Sequence, residues 1–324
     1  MRRRRFIELI GGVAVTWPLA ARAQHPDHMR RVGVLMGLAK DVEGQARVAA
    51  FRRALQQLGW IEGGNVRIDD RWSAGDADQL RIDVTDLVSL KPDLFLVNGS
   101  RALAARRRET NNFVALSDPV GQGFVESLAH PGGNMTGFSL FEPSLPGKLL
   151  QVLRDITPDA ARVVVIYHAD NGSAEVYLRS VEEAAPTFSV RPVASPVRDL
   201  AAIERAIEAA AQQPTGALLF PPDNFTTIHR ERIVALVAEH RLPAVYAYRS
   251  FVASGGLMSY GVDIYDLYRQ SATYVDRILK GEQAADLPVQ APTKFEFVIN
   301  LKTAKALGLT APQTILGRAD EVIE

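Results

Sequence analysis

The 324-residue chain has no cysteine. That removes thiolate zinc sites, iron–sulfur clusters, thiol nucleophiles and a lipid-modified cysteine, and it is compatible with an oxidising compartment. Neither sign of charge is in excess, because Lys+Arg and Asp+Glu each total 37; no bulk field then favours nucleic acid or an anionic membrane. Catalytic signatures are also lacking. The six histidines (His25, His28, His130, His168, His229 and His240) form no H-E-x-x-H, and no pair stands at metal-ligand spacing on a helix. No G-x-S-x-G elbow occurs. The glycines of "SDPVGQGFVESLAHPGGNMTGFSLFE" fit neither common phosphate motif: no Lys-Ser/Thr pair follows them, and Glu126 stands where a dinucleotide loop needs its third glycine. Arg106 to Arg108 lack interleaved aromatics and read as a solvated helix end. The expectation is a protein without metal, cofactor or nucleic-acid partner, and not an enzyme.

What is present begins with a leader. Arg2 to Arg5, an apolar stretch from Phe6 to Ala20, and Ala21-Arg22-Ala23 before Gln24 follow the three-part plan of an export signal. Arg3-Arg4-Arg5-Phe6-Ile7 resembles the twin-arginine pattern. Glu8 and two glycines interrupt the stretch too often for a spanning helix. Residues 1–23 are therefore expected to be a signal peptide, cleaved near Ala23-Gln24 to release a periplasmic protein.

Beyond it, short β-branched runs alternate with helical patterns. "RVGVLM", "NVRIDDRW", "DLFLVN" and "FVALS" read as strands separated by helices, and "RVVVIYH", "VRPVA", "GALLFP" and "PAVYAY" repeat the rhythm. Two βα series of this kind predict an α/β protein of two doubly wound parallel-sheet lobes. Pro143, Pro146 and Gly147 mark a hinge, and "GGLMSYG" a second crossing. The expected first lobe is 30–140 with about 262–290, and the second is 144–258 with about 291–324. Ligands of open parallel sheets sit beyond the carboxyl ends of the strands. That rule selects Gly37, Gly99, Ser100, Asp118, Asp223, Asn224, Arg249 and Ser250 as lining for a cleft between the lobes, and Met36, Asn98 and Tyr248 at the strand ends join them as candidate ligand-binding residues.

"SDPVGQGFVESLAHPGGNMTGFS", the long segment from Gly255 to Leu309 and the closing "LGRADEVIE" resemble the ABC-transporter substrate-binding protein family of the periplasmic type I binding fold. The resemblance implies a monomeric solute receptor that delivers its ligand to a membrane permease with a separate ATPase; some members bind aromatic amino acids. Under it, Asp118 matches the acid of the D-P-V turn, Asp223-Asn224 the D-N pair of the second lobe, and Tyr260 the S-Y-G crossing. A zwitterion would then find an ammonium partner in Asp118 or Asp223, donors for its carboxylate in Ser100 and the glycine turns, and flanking rings in Tyr248 and Tyr260. An exported sensor serving a signalling receptor is the alternative from the same residues, and an enzyme on the same scaffold is a further one, against which the missing nucleophile–base pair argues. One departure is visible: the segment before Asp118 lacks the Ile-Pro element that family members carry.

Overall fold

The computed structural model describes residues 29–99, 102, 112–117 (backbone only), 119–213 and 215–324. The leader, Ser100, Asp118 and the departing segment 103–111 lie outside the described residues. Two sheets organise the chain. The first has strand order β2-β1-β3-β4-β5, with β1 Arg30–Met36, β2 Val66–Trp72, β3 Leu94–Asn98, β4 Asn112–Ser117 and β5 Met135–Ser139. All of its neighbouring strands run parallel. The second has order β12-β11-β10-β9-β8-β6-β7, from β6 Arg162–His168, β7 Arg191–Val197, β8 Gly216–Phe220, β9 Ala244–Tyr246, β10 Met258–Val262, β11 Phe295–Asn300 and β12 Glu321–Ile323.

A parallel sheet covered on both faces needs strands that are apolar at every position, and β1 shows this. Val32, Val34 and Met36 enter a cluster with Val48, Phe51 and Leu55 of helix α1 (Val42–Gln57). Leu35, on the opposite face, joins Leu80 and Leu87 of α2 (Ala77–Ser89). Asp41 caps α1 by accepting from the Gly44 N–H at 2.8 Å, and Asp76 caps α2 in the same way. In the second sheet Val163 and Val165 face α3 (Leu145–Ile156) and α4 (Ala174–Ala184). Val164 and Ile166 face the other layer, which includes Ile203 and Ile207 of α5 (Leu200–Ala211). A five-residue helix α6 (Asn224–Ile228) follows β8, then α7 (Arg230–Glu239) and α8 (Arg249–Ala253).

The chain changes lobe again after β10. Helix α9 (Ile264–Leu279), capped by Asp263, buries Leu267, Tyr268, Ala272 and Val275 and packs against α1 beside the first sheet. Each fully buried aliphatic side chain there contributes about 1.5–3 kcal/mol. β11 then returns to the second sheet, antiparallel to β10, with Tyr260 opposite Phe297.

Four strands differ from the sequence reading. "GGNMTGFS" reads as a lead into the lobe crossing, yet Met135–Ser139 forms the edge strand β5 on β4. Met135 and Phe138 are buried, and Gly137 (φ 145°) adopts a backbone that side chains disfavour. β10, read as a lobe crossing, and β11 and β12 likewise extend a sheet that the alternating βα rhythm ends at β9, and β11 makes it mixed rather than purely parallel.

Candidate functional site: the cleft between the lobes

The carboxyl ends of both sheets face one another across a cleft. From the first lobe come Gly37 after β1, Ser73 to Asp76 after β2, and Gly99 after β3. From the second come His168 to Ser173 after β6, Pro221 to Phe225 after β8, and Tyr248 after β9. Leu140 and Phe141, on the crossing, close one end, with Tyr177 of α4 beside them. The space open to centres of water-sized spheres is about 100 Å3, several times the roughly 10–15 Å3 that holds one water. Its walls alternate rings and apolar groups with a few polar side chains, the usual composition of a small-molecule site.

Asp223 organises the second-lobe wall. Its Oδ1 accepts from the Thr226 N–H at 2.9 Å and caps α6. Its Oδ2 accepts from the His168 N–H and from Asn171 Nδ2, both at 3.0 Å. Burial pushes this carboxyl above its ordinary value, and the N–H donors and His168 offset only part of that shift. The acid offered as an ammonium partner is thus 5% exposed and holds together the loops after β6 and β8.

Asn224, next in sequence, reaches across the cleft. Its Nδ2 donates to Asn98 Oδ1 at 3.2 Å, over Gly37 and Gly99. A Cβ at Gly37 would stand 2.6 Å from that nitrogen, and one at Gly99 2.4 Å away, so these turns have room for Asn224 because they are glycines. Other contacts tie the same lobes. Arg230 donates to Asp41 at 2.6 Å, Gln122 Nε2 donates to Ser173 Oγ at 3.1 Å, and the Arg47 guanidinium lies 5.0 Å over the Tyr248 ring. Arg47 is fully buried and pairs with Glu43 at 2.7 Å, while Glu43 also accepts from the Tyr265 hydroxyl at 2.7 Å.

The Asp41–Arg230 pair makes lobe contact sensitive to acid. Desolvation raises the Asp41 pKa, but the Gly44 N–H, the Arg230 hydrogen bond and charge, and Arg47 outweigh it, so the carboxyl lies below its ordinary value of 3.8. A depressed folded-state pKa gives stability that is present above the unfolded value and lost as pH falls through the folded one. Thermal melts of the parent and Asp41→Asn should differ at pH 7 and converge below about pH 4. A gap that persists unchanged at pH 3 would assign the pair no such role.

Of the residues selected from sequence, Gly37, Gly99, Asp223, Asn224 and Tyr248 line the cleft, and Asn98 lies directly beneath it. Four do not reach it. Arg249 pairs with Glu296 and Glu321 of the second sheet, and Ser250 is buried in α8. Met36 shares the strand face of Val32 and Val34, is fully buried, and meets the Tyr268 hydroxyl through Sδ at 3.4 Å. Tyr260 packs in the second lobe against Phe297, Phe295 and Lys148, because the β10–β11 register turns its ring that way. Residues not selected from sequence but present in the wall include Asn171, Ser173, Phe141, Tyr177 and Phe225. His168 to Ser173 follow a strand just as Gly37 does, so the strand-end rule reaches them too. Among the described residues no cluster of three metal-ligating side chains occurs, and no helix is long and apolar enough to cross a membrane.

Similarity to known proteins follows this geometry. The chain is 26% identical over 263 residues to a tyrosine-binding protein of Clostridioides difficile (strain R20291), covering 80% of this chain and 75% of that one. It superposes on a Streptococcus pneumonia ABC domain in complex with L-Trp with a TM-score of 0.84 at 24% identity, covering 91% of this chain and all of the other. A ligand-free, open substrate-binding protein with adhesive properties from Clostridium difficile superposes with a TM-score of 0.67 at 23% identity, over 91% of this chain and 99% of that one. These likenesses fix a two-lobed periplasmic binding protein type I fold, whose relatives bind substrates and are not enzymes. The model of the ABC transporter substrate binding protein family matches residues 32–323, and this chain belongs to that family.

Proposed function

We propose that this protein is an exported receptor that captures an aromatic amino acid between its lobes and passes it to an ABC permease driven by a separate ATPase. The observation that carries this reading is the composition of the cleft: Phe141, Tyr177, Phe225 and Tyr248 supply rings, while Asn171, Ser173 and the glycine turns supply polar edges. Rings and a few fixed donors are what an aromatic zwitterion requires. A tyrosine-binding relative and a tryptophan-bound structural neighbour support the same ligand class. The higher TM-score to the tryptophan-bound neighbour than to the open one supports capture by lobe closure about the crossings. The basic leader supports export with a mature start near Gln24.

The ammonium of such a ligand needs a carboxylate, because a buried unpaired charge costs several kcal/mol. Asp223 already accepts three N–H bonds, of the roughly four lone-pair sites a carboxylate has. Asp118, in the D-P-V turn, is the better partner in this reading. Calorimetry with L-tryptophan and L-tyrosine tests it: Asp118→Asn should lower affinity by about 2–5 kcal/mol while the melting temperature holds. If the variant binds within about 0.5 kcal/mol of the parent, the ammonium is held elsewhere.

A further inference from the structure

We propose that Tyr177 sets specificity within the cleft: its hydroxyl hydrogen-bonds a polar group on the ligand's ring, so that phenol and indole side chains are selected over phenyl. The inference rests on the reading of the cleft as an aromatic amino-acid site and adds a choice among those amino acids. Tyr177 stands one turn into α4, is 4% exposed and lines the cleft. Its ring is fixed by apolar packing with Leu149, Leu153 and Val181 and meets Phe141 edge-on at 6.4 Å. Its hydroxyl, though buried, has no hydrogen-bond partner among the described residues.

A buried hydroxyl without a partner is unfavourable, and a phenylalanine would fill the same volume without that penalty. The polar groups of the neighbouring loop hydrogen-bond with one another. Asn171 donates to Pro222 O and Asp223 and accepts from the Ser173 N–H, and Ser173 Oγ accepts from Gln122. Burial holds the phenol well above its ordinary pKa, so it stays protonated across the physiological range. A protonated phenol can donate to a ligand hydroxyl or accept from an indole N–H. Sites built to pair a ligand's polar group reject the analogue that lacks it, since the site's own group is then left unpaired.

Calorimetry on the parent and Tyr177→Phe with L-tyrosine, L-tryptophan and L-phenylalanine decides the matter. The parent should bind tyrosine and tryptophan about tenfold more tightly than phenylalanine, the size of one net hydrogen bond. Tyr177→Phe, which removes one oxygen and keeps the packing, should bring the three affinities together by weakening the first two. A parent that binds phenylalanine as tightly, or a variant that keeps the gap, overturns the role of Tyr177 and leaves the aromatic ligand class standing. Absence of binding by all three to the parent overturns both.

Discussion

Replacing Asp223 by Asn should destabilise the second lobe by about 1–3 kcal/mol, the size of leaving buried N–H donors unsatisfied. On sequence grounds the exchange looks mild, since Asn caps helices nearly as well as Asp. The structure shows why it is not. Both carboxylate oxygens are acceptors: one takes the Thr226 N–H, and the other takes the His168 N–H and the Asn171 amide. An Asn side chain has one oxygen and sets its NH2 against N–H donors on the remaining side. The loops after β6 and β8 then lose their tie, and affinity falls with them because both loops line the cleft. Urea denaturation should show a lower midpoint at unchanged slope. An unchanged midpoint would mean that these hydrogen bonds do not hold the wall.

Gly37→Val should weaken ligand binding about 10- to 100-fold, equivalent to the 1–3 kcal/mol that overpacking costs. Gly37 is not among the glycines with positive φ, so its backbone admits a side chain. The tighter obstacle lies across the cleft: a Cβ there would meet Asn224 Nδ2 at 2.6 Å, besides the Asn98 carbonyl of its own lobe at 3.1 Å. The lobes relieve the clash by separating, so the penalty falls on the closed, ligand-holding arrangement. Small-angle scattering should show the parent contracting on ligand addition and Gly37→Val contracting less. Equal affinity and equal contraction in the two proteins would remove Asn224 from the closure mechanism.

These two residues also show how far the sequence could be read. Gly37 and Asp223 both follow short apolar runs, and in open parallel sheets that position is a cleft position whatever the residue does there. Position was thus legible, but role was not. Nothing in "FPPDNF" reveals that Asp223 receives N–H bonds from a loop more than fifty residues earlier, because that contact depends on β6 and β8 being neighbours. Tyr260 failed for a related reason: the face its ring takes is set by β11, a strand that the alternating rhythm does not announce. Phe141 and Tyr177 escaped because they belong to a crossing and a helix, while the search followed strand ends. An aromatic in the first turn of a helix that starts at the cleft is the signal that would have found Tyr177.

The measurement that bears most directly on the central claim is a crystal structure of the mature protein grown with L-tryptophan or L-tyrosine. The account predicts one amino acid between the lobes, its ring among Phe141, Tyr177 and Tyr248 and its backbone end toward the Gly37 and Gly99 turns. An amino acid bound outside the cleft, or a cleft that takes neither compound at concentrations that saturate the relatives, would contradict it.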